Sequence, residues 1–121
     1  MPPPTSFREL LDRYQHGERD FQESSLDEDP DNDLRGVCFD GVDLSRSYVV
    51  ADFRGACLRG ARFCHANVKT CDFRDADLSG ADFTGAALCA TTFIGATFDA
   101  ADFAGAFYHS YVIQPGGYPD W

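Results

Sequence analysis

From residue 51 the chain reads ADFRG ACLRG ARFCH ANVKT CDFRD ADLSG ADFTG AALCA TTFIG ATFDA ADFAG AFYHS, twelve five-residue blocks that run to Ser110 without interruption. Ten blocks open with Ala, and the other two open with Cys71 and Thr91. The third position is always apolar: Phe53, Leu58, Phe63, Val68, Phe73, Leu78, Phe83, Leu88, Phe93, Phe98, Phe103 and Tyr108. A fixed internal period outranks local propensity, because each repeat is one structural unit and stacking the units builds the core.

The first and third residues of a block lie two apart, so in an extended backbone both face the same way while the second faces out. Gly closes six blocks, at positions 55, 60, 80, 85, 95 and 105. It turns a corner without a Cβ penalty. A strict period of five does not stay on one face of a helix, which excludes an amphipathic helix here. The reading is a chain that winds around an apolar axis, three residues to a side and two to a corner.

The pattern A(D/N)LXX, with Leu or Phe at its centre, resembles the pentapeptide-repeat family over roughly residues 34 to 110. The resemblance implies an all-β solenoid, a right-handed quadrilateral β-helix with four blocks to a coil. About four to five coils, each ~4.8 Å high, would give this chain a height of roughly 20–24 Å. Four blocks per coil predicts columns spaced by twenty residues. Phe53, Phe73 and Phe93 form one column and Phe63, Phe83 and Phe103 the opposite one. Leu58, Leu78 and Phe98 form a third, with Val68, Leu88 and Tyr108 in the fourth.

Upstream the period slips twice. Leu34, Phe39 and Leu44 keep it, yet Phe53 lies nine residues beyond Leu44, so one residue is missing around Arg46 to Val50. Phe21 and Leu26 again stand five apart, before the acidic run Asp27 to Asp33, which reads as a loop ejected from the first coil. Ahead of it, Ser6 and Glu9 fit a capping box. Phe7, Leu10, Leu11 and Tyr14 make one helical stripe before Gly17. A short N-terminal helix over Phe7 to His16 is expected to cap the open end. The expected organisation is thus a tail and capping helix at 1–18, the repeat body at 19–113 with its acidic loop at 27–33, and a tail at 114–121. Phe107, Tyr108, Tyr111, Val112, Ile113 and Trp121 break the pattern at the far end, as either a C-terminal cap or a dimer contact.

Net charge is −10. Residues 1–33 hold ten acids and three arginines, and all seven later bases lie between Arg35 and Arg74. Beyond Arg74 the outward acids Asp75, Asp77, Asp82, Asp99 and Asp102 form a candidate interaction surface, which would repel nucleic acid and attract a basic partner. Asp27, Asp29, Asp31 and Asp33 alternate as calcium ligands do. An EF-hand starting at Asp27 fails, because Asn32 and Cys38 stand where Gly and Glu are needed.

The five cysteines occupy repeat positions rather than a zinc or disulfide framework. Cys38 and Cys57 are expected in equivalent positions on adjacent coils, in the reduced state. No P-loop, nucleophile elbow or dinucleotide glycine motif is present, so no catalysis and no cofactor are expected. No apolar run reaches membrane-spanning length, and MPPPTSF does not read as a signal peptide. The expectation is a cytoplasmic protein-binding module or scaffold, monomeric or dimeric through its C-terminal end, with an unidentified protein partner. Two alternatives stand beside it. Some relatives of this repeat type mimic duplex DNA and protect DNA gyrase from quinolones, and the resemblance extends that possibility to this acidic chain. The acidic loop suggests a metal-responsive module.

Overall fold

A computed structural model describes residues 2–121. Parallel bridges join each block to the one a full coil later: Asp52 to Asp72, Cys57 to Asp77, Arg62 to Asp82 and Asn67 to Ala87. Four consecutive blocks are therefore four sides, and the fifth returns above the first. We name the sides by the second residue of each block. Side A carries 20, 43, 62, 82 and 102, and side B carries 25, 48, 67, 87 and 107. Side C carries 33, 52, 72 and 92, and side D carries 38, 57, 77 and 97.

Each block distributes its backbone groups in the same way. The Phe53 N–H donates to the Asp72 carbonyl at 2.8 Å and the Gly55 N–H to the Arg74 carbonyl at 2.9 Å, both on the next coil. The Ala56 N–H then closes the corner on the Phe53 carbonyl at 3.0 Å. Corner residues adopt positive φ, half of them as Gly. Gly95 has a second reason, since a Cβ there would collide with the Asp75 carboxylate one coil below.

Inside, the expected columns form. Phe53, Phe73 and Phe93 stack at centroid spacings of 5.2 and 5.1 Å, and Phe63, Phe83 and Phe103 at 4.8 and 4.9 Å. The two columns meet edge to face, as Phe73 does on Phe83 at 5.5 Å. Both geometries suit the aromatic quadrupole. Leu58, Leu78, Val68 and Leu88 are buried beside them. Phe98 and Tyr108 are only partly buried because no further coil covers them.

Both irregularities appear as changes of spacing. Bridges that cross the shortened side link residues nineteen apart, as Cys38 to Cys57, whereas Asp20 pairs with Asp43 and Ser25 with Tyr48 across twenty-three. β1 (Ser25–Leu26) and β2 (Tyr48–Val49) form the parallel pair on side B. On the shortened side, the N–H three residues after Val49 belongs to Asp52 and donates to Asn32, not to the Val49 carbonyl. The Cys71 thiol supplies a donor instead, at 3.1 Å. This explains why Cys stands in an Ala position directly above the deletion. Burial pushes the Cys71 thiol up to about 12. Since the thiolate is the reactive form, Cys71 is expected to resist a thiol reagent in the folded protein and to react only on unfolding, while exposed Cys38 reacts at once. Cys71→Ala is expected to cost about 1–3 kcal/mol by orphaning the Val49 carbonyl, read as a shift in urea midpoint.

At the N-terminal end, α1 (Phe7–Gln15) lies on the first coil with Phe7 and Leu10 buried. The Ser6 hydroxyl accepts from the Glu9 N–H, but the Glu9 carboxylate reaches the Thr5 N–H rather than that of Ser6, so the expected box is displaced by one residue. Tyr14 packs edge-on against Phe39 at 5.2 Å, and its hydroxyl donates to the Asp40 carbonyl at 2.7 Å. At the other end, β3 (Phe107–Tyr108) and β4 (Tyr111–Val112) form an antiparallel hairpin. Buried Ile113 follows. The carbonyls of Ile113 and Trp121 accept from the Gly105 and Phe93 N–H groups at 2.9 and 2.6 Å. Residues 113–121 thus fold back over the last coil and supply acceptors that a further coil would have provided.

Candidate interaction surfaces

The second-position aspartates serve the repeat before they serve any partner. In Asp52, Asp72, Asp77, Asp82 and Asp102, one carboxylate oxygen accepts the backbone N–H two residues on, at 2.9–3.1 Å. This Asx-type bond holds the chain as it enters each corner. The D-x-R and D-x-[ST] spacing carried that signal in the sequence, where it was read only as outward charge.

Side C is an alternating charge ladder. Arg54 grips Asp52 through Nε and Nη2, at 3.0 and 2.7 Å, and its Nε lies 3.7 Å from Asp72, which Arg74 holds at 2.7 Å. Arg35 and Asp33 begin the ladder, also at 2.7 Å. Arg59 joins Asp40 at 2.7 Å on side D, and Arg62 faces Asp43 at 4.0 Å on side A. Hydrogen bonds from Arg54, Arg74 and Arg59 hold Asp52, Asp72 and Asp40 below the usual carboxylate range. Most of the basic charge is therefore neutralised within the molecule.

The five acids expected to form one surface do not share a side. Asp82 and Asp102 lie on side A and Asp77 on side D, while Asp99 and Asp75 sit toward two different corners. The cause is the winding, which moves each successive block to the next side. Asp77 also lies 4.0 Å from Arg59.

The acidic loop is likewise committed. Asp29 accepts from the Phe7 N–H at 2.7 Å and from the Asp31 N–H at 2.9 Å, which anchors the loop to the start of α1. An anion there also suits the helix dipole. Asp33 belongs to Arg35, and Asp31 lies 3.9 Å from Arg8. Among the described residues no three His, Cys, Asp or Glu side chains converge to hold a metal. The calcium expectation for Asp27, Asp29, Asp31 and Asp33 therefore finds no converging donor set, because Asp29, Asp31 and Asp33 turn to different partners.

Side B differs from the other three. Its second positions are Ser25, Tyr48, Asn67, Ala87 and Phe107, none of them charged. Val112, paired with Phe107, extends the side by one strand. Tyr48, Phe107 and Val112 are all exposed. The deletion opens a groove of about 200 Å³ in this side, lined by Asp27, Tyr48, Val50, Asn67 and Lys69 among others. The slip in period at Arg46 to Val50 was the sequence signal for it. At the C-terminal end, Tyr108, Tyr111, Tyr118, Asp120 and Trp121 line a second opening. Tyr118 had no period to mark it, yet it stacks on Phe98 at 5.6 Å.

Comparison with known proteins places this architecture. The family model described as pentapeptide repeats matches eight copies over residues 71–107. The crystal structure of alr5209, a pentapeptide repeat protein from Nostoc PCC 7120, is 32% identical with a TM-score of 0.77, covering 92% of each chain. Rfr23 from Cyanothece 51142 is 19% identical over 74% of this chain and 63% of its own, with a TM-score of 0.46. HetL, a Nostoc pentapeptide repeat protein involved in heterocyst differentiation regulation, is 22% identical over 82% of this chain and 42% of its own, with a TM-score of 0.42. A search of curated proteins found no match. Pentapeptide repeat proteins fold as right-handed quadrilateral β-helices. With its four-sided winding, its stacked central Phe columns and near-complete overlap with a solved relative, this chain belongs to the pentapeptide repeat family.

Proposed function

We propose that this protein is a non-catalytic, cytoplasmic binding module that docks a protein partner on side B. The observation that carries the reading is the segregation of its surface. Ion pairs occupy sides A, C and D, whereas side B presents Tyr48, Ala87, Phe107 and Val112 with no charge at any second position. Aromatic residues are enriched and charged residues depleted at the cores of protein interfaces. A core filled by stacked rings leaves no deep pocket for chemistry, which supports a scaffold over an enzyme.

The test is capture of partners from native lysate with three baits. The partner is expected to be retained by wild type, lost at least tenfold by Tyr48→Glu/Phe107→Glu, and retained by Asp82→Asn/Asp102→Asn. Both positions of the first variant are exposed, so its melting temperature should match wild type. Retention by the first variant with loss by the second would overturn the reading. If the protein then recovered were a topoisomerase, charge mimicry of DNA would replace it.

A further inference from the structure

The opening at the C-terminal end is lined by four aromatic side chains and one acid. Tyr108, Tyr111, Tyr118 and Trp121 surround a cleft of about 370 Å³, with Asp120 as its one acid. We propose that this cleft binds a quaternary ammonium cation.

Aromatic faces carry negative electrostatic potential and attract a cation within about 6 Å of the ring centroid, an effect that grows as the cation is desolvated. Tetraalkylammonium ions have no N–H groups to satisfy, so they enter such a site without orphaned donors. The Asp120 carboxylate adds a full negative charge. No Lys or Arg follows Arg74 in the chain, so no lysine or arginine of these coils occupies the rings, and the one imidazole beside them, His109, meets Tyr108 edge-on at 4.5 Å.

The cleft is also held in shape before any ligand arrives, which lowers the ordering cost of binding. Tyr118 stacks on Phe98 at 5.6 Å and meets Phe103 edge-on at 6.0 Å. Trp121 lies 5.1 Å from Tyr108 at 46°, and its carbonyl is fixed by the Phe93 N–H. Tyr111 stands across the hairpin from Tyr108, 60% exposed. Cross-strand partners point to one face, so Tyr111 joins the cleft while Phe107 and Val112 face side B. The two surfaces are separate, and the failure of either proposal leaves the other standing.

Trp121 is the only tryptophan in the chain, so its fluorescence reports directly on the cleft. Full-length protein is titrated with choline and, in parallel, with 3,3-dimethylbutan-1-ol, its neutral isostere. A saturable change is expected with choline, at least tenfold weaker with the isostere. Tyr111→Ala should weaken choline binding at least tenfold while leaving the melting temperature unchanged, and Asp120→Asn should weaken it severalfold. Equal affinity for the isostere would overturn the proposal by showing an apolar groove, as would no saturation up to about 50 mM choline. A peptide carrying trimethyl-lysine distinguishes the sources. Binding tighter than choline, and lost on the unmodified lysine peptide, assigns the cation to a protein tail, whereas equal or weaker binding assigns it to a small molecule.

Discussion

Replacing Phe83 by alanine is expected to cost about 3–5 kcal/mol of folding free energy. Phe83 is fully buried in the middle of its column, between Phe63 at 4.8 Å and Phe103 at 4.9 Å. Its edges meet Phe73 and Phe93 at 5.5 and 5.8 Å. Truncation removes the ring from water-free surroundings, breaks four aromatic contacts of favourable geometry, and leaves a cavity that fixed coils above and below close poorly. In a solenoid, stability is nearly a sum of repeat and neighbour terms, so a mid-array loss weakens two coil interfaces together. Phe98→Ala, in a partly exposed ring of the last full coil, should cost less. Urea unfolding of both variants checks the order. A Phe83→Ala loss below about 1 kcal/mol would contradict the stacked core.

Acid is expected to lower the protein's stability between about pH 4 and 2. Asp33 is held at about 2 by hydrogen bonds from Arg35. Asp40, Asp52 and Asp72 are lowered chiefly by Arg59, Arg54 and Arg74, Asp77 by Ser79, and Asp29 by the Phe7 N–H. Each carboxylate is more acidic folded than unfolded. Its contribution is therefore complete above the unfolded value of about 3.9, and is lost as pH falls toward the folded value. The melting temperature should hold from pH 7 to about 5 and then drop by roughly 10 °C between about pH 4 and 2. High salt should shrink the drop, since most of these pairs are solvent-screened. A melting temperature that stays level down to pH 2 would mean that the Asp/Arg ladder and the Asx corners add nothing to stability.

The same carboxylates mark where reading the chain stopped short. Local rules turned Phe53, Phe73 and Phe93 inward, because period two within a block is written in the letters, while the twenty-residue spacing that makes them a column came from the family resemblance and is fixed by the parallel bridges. The role of Asp52 or Asp82 as a corner clamp was also local, in D-x-R and D-x-T. Asp75, Asp77, Asp82, Asp99 and Asp102 are divided between sides A and D and their corners, because the winding moves each successive block to the next side. Cys71 looked like a tolerated exchange for Ala until the deletion one coil below exposed a carbonyl in want of a donor. The acidic loop read as ejected from the first coil or metal-binding, whereas Asp29 spends its oxygens on α1 and on the loop itself.

By itself, the sequence determined which residues of the repeat body face the axis, where one residue is missing and where others are added. These follow from periodicity, and periodicity is a local constraint that every block repeats. Only the tertiary structure decided the two surfaces on which function is proposed. Side B became the side with no charged second position because the winding sorted Tyr48, Ala87 and Phe107 away from the ion pairs. The aromatic cleft exists because the aperiodic tail folds back, bringing Tyr118 and Trp121 to Tyr108 and Tyr111. Those contacts join residues with no fixed spacing, and packing against the last open coil is the physical force that chose them.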